Sequence, residues 1–123
     1  MCLILFAYQF HPNYPLVLAA NRDEFYQRPT EPVHWWPETP DLLAGKDLQA
    51  GGTWMGLTRS GRFAAITNVR EPERKTEGAK SRGLLPLEFL QGNVSASGFS
   101  AQLEQSSDRY NGYNQLFGEI RDL

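Results

Sequence analysis

The order of patterns along the chain predicts an α+β fold of antiparallel strands: strand-like segments come first, helical ones follow, and a strand comes last. Three observations carry this. Two apolar runs, 2–10 and 16–21, flank a turn rich in Pro and Asn. The segments 53–58 and 62–68 surround Arg59-Ser60-Gly61, a short turn with glycine where positive φ is often required. Two stretches with helical spacing, 83–91 and 97–107, precede a last strand, Asn114 to Ile120, that begins after Asn111-Gly112.

Each element follows from its residues. The run from Cys2 to Phe10 is short, bulky and apolar on alternate positions of both faces, the pattern of a buried strand. His11-Pro12-Asn13-Tyr14-Pro15 is turn material, because proline presets φ and asparagine tolerates the left-handed region. Leu16 to Asn21 then forms the second strand of a hairpin, which brings Cys2 close to Asn21-Arg22-Asp23-Glu24. Between Tyr26 and Pro40 four prolines make regular structure unexpected; Trp35 and Trp36 predict an ordered loop pinned by aromatic side chains. Gly51-Gly52 predicts a bulge or a close backbone approach, and the charged stretch 71–82 a mobile surface loop. In the first helix Leu84, Leu87 and Leu90 share one side and Pro86 sits near the first turn, where its missing N–H costs nothing. The second has Phe99 and Leu103 four apart, with Ser97 and Ser100 as capping candidates. Neither an internal repeat nor a low-complexity run is present.

Composition narrows the function classes. At 123 residues the chain fits one domain, 1–123, and 41% hydrophobic with 12% aromatic residues suffices for a core. Twelve Lys and Arg against fourteen Asp and Glu leave a net charge of −2, without the basic field that concentrates proteins on nucleic acid. No run approaches the ~20 apolar residues that cross a bilayer, and the apolar start lacks the positive charges of a secretory leader. With Cys2 as its single cysteine, the chain has neither an internal disulfide nor a thiol cluster for zinc. A cytoplasmic protein is expected.

Cys2 is the sharpest chemical feature. Loss of Met1 would leave a residue with both a thiol and a free α-amine, whose unperturbed pKa values of about 8.5 and about 8 allow proton exchange near neutrality. One residue then supplies nucleophile and base. The other reading of Cys2 is a small apolar residue at a strand edge. Asp23 could hold the α-amine, and Arg22 could lower the thiol pKa or pair with an anionic substrate, against the plainer reading of a polar strand end with a surface ion pair. Asn68, closing the second hairpin, could donate to an oxyanion or simply serve the turn. His11 and His34 lack paired ligand spacing, so no metal is expected. Trp35, Trp36 and Trp54 either fill core or line a ligand pocket. Arg59, Arg62, Arg70, Arg74, Lys75, Lys80 and Arg82 read mainly as a solvated basic face, with contact to an anionic ligand as the lesser reading.

Met1-Cys2-Leu3-Ile4, Leu18 through Phe25 with Asn21-Arg22-Asp23-Glu24 at its centre, Ala44-Gly45-Lys46-Asp47-Leu48, Gly51 through Gly56, Gly61 through Arg70 and Ser81-Arg82-Gly83 together resemble the NRDE family, also called the transport and Golgi organisation protein 2 family. Family members are usually about twice this length, which implies that 1–123 is a C-terminally truncated portion of a longer domain. The resemblance implies the first part of a four-layer αββα fold similar to N-terminal nucleophile hydrolases, with two antiparallel sheets between outer helices. It implies Cys2 as nucleophile and Asn68 as oxyanion donor, with Arg22 and Asp23 matching an arginine and an aspartate that stand further apart in the choloylglycine hydrolase group. Because adjacent strand residues point to opposite faces, both cannot reach one point as in that group without local distortion. The implied activities are amide or thioester hydrolysis or acyl transfer on a small acyl substrate, or else non-enzymatic carriage of haem, a lipid or acyl-CoA, with no resident cofactor.

Overall fold

The computed structural model describes residues 3–22, 26–69, 81–110 and 112–120. It is an α+β arrangement of two antiparallel sheets and two helices. The first sheet is the predicted hairpin, β1 (Ile4–Tyr8) against β2 (Leu16–Ala20), in continuous register from Ile4↔Ala20 to Tyr8↔Leu16. Its turn is entered through Gln9, whose φ of 54° is left-handed and whose N–H donates to the Pro15 carbonyl at 2.8 Å. The left-handed residue is therefore Gln9 rather than an asparagine. The strand is apolar on both faces as expected but is not buried: Leu5 is 61% and Phe6 56% exposed. The reason is topological, since β1 and β2 make a two-stranded sheet of their own and join no larger one.

The second sheet has the order β3-β4-β5-β6-β7, each strand antiparallel to its neighbour. It comprises β3 (Thr30–Trp36), β4 (Thr39–Asp47), β5 (Met55–Thr58), β6 (Arg62–Asn68) and β7 (Tyr113–Glu119). The proline-rich stretch expected to be an irregular loop is thus mostly strand. Proline is tolerated because β3 is an edge strand and its register shifts between Glu31 and His34, around Pro32, so the missing donor breaks no central ladder. Gly61, at φ 94°, closes the β5–β6 turn as predicted.

Register assigns the faces. His34, Ala44, Gly56, Ala64 and Phe117 are paired partners in one cross-strand row, and Leu90 packs onto Gly56 from the helix side. The core lies here: Trp36, Leu42, Ala44 and Ala64 meet Phe89, Leu90 and Phe99. Phe89, Phe99 and Phe117 form an aromatic triangle with centroids 5.1–5.2 Å apart. The neighbouring row, Trp35-Leu43-Leu57-Phe63-Gly118, occupies the opposite face, where Trp35 is 45% and Leu57 37% exposed.

Helix α1 (Leu84–Gln91) buries Leu85, Pro86, Phe89 and Leu90. Its inner face is thus rotated from the predicted leucine row, and Leu84 lies outside. Phenylalanine at 89, with more apolar area than leucine, sets the orientation. Helix α2 (Ala96–Ser106) buries Phe99, with Leu103 packed against the core, and continues into a 3₁₀ turn at Ser107–Arg109. Its cap is Ser95, whose hydroxyl accepts from the Gly98 N–H at 3.1 Å; Ser97 and Ser100 do not fill that role. Before α1, a Cβ on Gly52 would meet the Gly83 carbonyl carbon at 2.5 Å, and Thr53 N–H donates to the Gly83 carbonyl, which is the predicted close approach. The predicted loop at 71–82 lies outside the described residues except for its last two.

Candidate functional site

The open end of the β1–β2 hairpin is tied twice. Asn21 N–H donates to the Leu3 carbonyl at 3.1 Å, and Leu3 N–H donates to Asn21 Oδ1 at 2.7 Å. An asparagine does this because its amide oxygen reaches the N–H opposite while its own backbone stays in the ladder. Arg22 follows directly, its guanidinium 4.4 Å above the centre of the Trp54 ring. Trp54 is seated against Gly45, where a Cβ would overlap the indole. The Trp54 carbonyl accepts from Ile66 N–H at 3.0 Å, two residues before Asn68. A continuous chain of contacts therefore runs from Leu3 through Asn21, Arg22, Trp54 and Ile66 to the end of β6.

Asn68 is exposed at that strand end, paired across the ladder with Tyr113, and its side-chain amide makes no hydrogen bond among the described residues. Alternation places it on the sheet face of Ala64 and Ile66. Burial, with Tyr110 as a smaller contributor, pushes the phenol of Tyr113 above its ordinary pKa. Of the predicted site residues, then, Arg22 and Asn68 belong to one connected end of the structure, while Cys2 and Asp23 lie outside the described residues.

The three tryptophans divide. Trp36 is core and donates from Nε1 to the Ala44 carbonyl at 3.0 Å. Trp35 is exposed beneath the Arg59 guanidinium at 3.9 Å, and Trp54 carries Arg22. His11 accepts from Asn13 N–H, His34 contacts Pro32 O and Glu31, and no group of metal-ligating side chains exists among the described residues.

Arg62 departs from the expected solvated basic face. It is buried, donating to Phe89 O at 2.9 Å, Val94 O at 2.7 Å and Glu119 at 3.0 Å, with its guanidinium 3.8 Å from the Phe89 ring centre. It sits on the wall of a polar cavity of about 400 Å³ with Thr39, Asp41, Ser60, Asn93 and Glu119. Six residues of strand, roughly 20 Å, separate this cavity from Asn68, so it is not the predicted site. Arg28 reaches Asp47 with Nε and Nη2, and Asp47 also accepts from Gln49 N–H. Burial of Asp47 disfavours its charge, but the Arg28 and Gln49 hydrogen bonds outweigh that and hold its pKa below the ordinary carboxylate value. A lone Asp at a strand end with an Arg nineteen residues earlier carries no local signal in the sequence.

A family profile described as Transport and Golgi organisation 2 matches residues 1–123. The chain is 35% identical over 127 residues to the Transport and Golgi organization protein 2 homologs of Bos taurus and of Homo sapiens. It is 30% identical over 132 residues to Transport and Golgi organization protein 2 of Drosophila melanogaster. Each comparison covers 98% of this chain and 46% of the relative, so the chain spans about half the length of the curated relatives it matches. With the whole described fold inside that match, the chain belongs to the Transport and Golgi organisation 2 family.

Proposed function

We propose that this chain carries the nucleophile end of an N-terminal-nucleophile acyl-transfer site acting on amides or thioesters of a small acyl substrate. The observation that carries the reading is the contact chain from Leu3 through Asn21, Arg22 and Trp54 to Ile66. It joins the residue after Cys2 to the strand ending in Asn68, whose amide makes no hydrogen bond among the described residues. After removal of Met1, the Cys2 α-amine takes the thiol proton and Asp23 orients that amine. The thiolate attacks the carbonyl carbon, forming an S–C bond, while Asn68 donates to the oxyanion and Arg22 steadies the thiolate or an anionic substituent. The ammonium returns its proton to the departing amine or thiol, and water or an acceptor nucleophile then releases the acyl group. Apolar residues on both faces of the hairpin, and the apolar row Trp35-Leu43-Leu57-Phe63, support a four-layer αββα arrangement with two facing sheets.

A second reading has its own support. Leu3, Leu5, Phe6, Phe10 and Val17 are all exposed on one hairpin, a surface suited to carrying haem, a lipid or an acyl-CoA without chemistry. The names of the relatives suggest a role in transport and Golgi organisation, and the net charge of −2 favours a small molecule over a nucleic acid as ligand.

Intact mass spectrometry followed by an electrophilic acyl probe tests the first reading. The expected result is loss of Met1 and one label per chain that Cys2→Ala abolishes, with Asn68→Ala slowing labelling about a hundredfold. Retained Met1, or labelling indifferent to Cys2→Ala, refutes it. A Soret band on haem titration that Phe6→Glu abolishes would favour the carrier.

A further inference from the structure

We infer that the outer edge of β7 is a strand-addition site, filled by a strand from the part of the family polypeptide that lies outside the match to this chain; the inference is independent of the acyl-transfer reading. Backbone parity defines the edge. Val69 N–H donates to the Gly112 carbonyl and Ile120 N–H to the Gly61 carbonyl, at the two ends of an unbroken β6–β7 register. In an antiparallel pair alternate residues turn their backbone groups toward the same neighbour, so Asn114, Leu116 and Gly118 bond to β6. Tyr113, Gln115, Phe117 and Glu119 therefore direct their N–H and C=O groups away from β6, and among the described residues no strand stands on that side.

The two edges of the five-stranded sheet differ. β3 is blunted, because Pro32 removes a donor and the register shifts between Glu31 and His34 and again between Trp35 and Trp36. Proline and irregular pairing are devices that keep an edge from taking another strand. β7 has neither. It pairs with β6 over seven consecutive residues without a bulge, holds no proline, lysine or arginine, and its one charge, Glu119, is engaged by Arg62. The occupant follows from length. The Bos taurus and Homo sapiens relatives are matched over 46% of their own chains, so more than half of each can supply further strands. The β1–β2 hairpin points the same way, since a two-stranded sheet with Leu5 and Phe6 more than half exposed is marginal by itself in water. The strand that fits runs antiparallel, as every neighbour in this sheet does, and carries apolar residues on both faces to meet Phe117 on the helix side and Leu116 on the other.

Amide hydrogen exchange read by NMR, on this chain and on the full-length Homo sapiens relative, tests the inference. In this chain the amides of Asn114, Leu116 and Gly118 should be protected, while those of Tyr113, Gln115, Phe117 and Glu119 exchange near the free-peptide rate. In the full-length relative both sets of matched positions should be protected, the outward set slowed by about a hundredfold or more. Proline gives a second readout. Gln115→Pro removes only an outward donor, so in this chain it should shift the urea midpoint by no more than about half as much as Leu116→Pro; in the relative, proline at either matched position should be equally damaging. Outward amides that stay fast in the full-length relative overturn the inference. So does their protection in this chain: if it grows with protein concentration the occupant is a second copy, and if it does not, the edge is already covered.

Discussion

Replacing Arg62 by alanine removes three hydrogen bonds and one ring contact from the wall of the core, and the structure allows each loss to be sized. The bond to Val94 O is short, at 2.7 Å, but Val94 is 38% exposed, so water replaces part of it and about 1 kcal/mol is lost. Phe89 O keeps its second donor, Gly92 N–H at 3.3 Å, and costs about another 1 kcal/mol. Glu119 is 36% exposed at its side chain, which limits that ion pair to about 0.5 kcal/mol. The guanidinium over Phe89 adds about 1 kcal/mol. The sum, about 3.5 kcal/mol, is a large share of the ~5–15 kcal/mol that holds a domain together. Urea denaturation followed by far-ultraviolet circular dichroism should show the midpoint falling by about 2 M, taking a slope near 1.5 kcal/mol per M. Arg62→Lys, which keeps the charge but cannot reach three partners at once, should lose about half as much. A loss below about 1 kcal/mol for Arg62→Ala, or none for Arg62→Lys, would refute the assignment of Arg62 as the strut between β6, α1 and β7.

Three further outcomes follow from the packing. Asp47 has a folded pKa held below its ordinary value, so its contribution is present above about pH 4 and disappears as pH falls through the folded value; Asp47→Asn should flatten that acid limb of the melting temperature–pH curve and cost about 2 kcal/mol at pH 7. Gly52→Ala forces a Cβ into the Gly83 backbone and should cost about 2–3 kcal/mol in a denaturant melt, while Gly83→Ala, whose nearest contact is 3.2 Å, should cost less. Ser95→Ala removes the α2 cap and should lower stability by about 1 kcal/mol, with Ser97→Ala near neutral as its control.

Much of the architecture was legible because its causes are local. The β1–β2 hairpin, the Gly61 turn, both helices and β7 each follow from a turn residue or a periodicity contained within a dozen positions. The β3 strand was not legible, since a dense run of prolines argues against strand unless the strand lies at an edge, and edge position is a property of the sheet; β4, an interior strand, was obscured only at its start, where Pro40 is its second residue. Arg62 illustrates the same divide. It alternates with Ala64 and Ile66 on the helix-facing side of β6, a signal the sequence does contain, yet burial of an arginine is acceptable only where acceptors wait.

Sequence alone determined the family, the α+β class, the hairpin that sets Leu3 against Asn21, and the identity of a single thiol next to the chain start. Tertiary structure decided that Arg22 rests on Trp54, that Trp54 rests on Gly45, and that Arg62 is interior. The physical reason is range. Backbone preferences act over a few residues and are written in consecutive letters, whereas a cation finds its ring, or a guanidinium its carbonyls, only after strands distant in sequence have been paired in register.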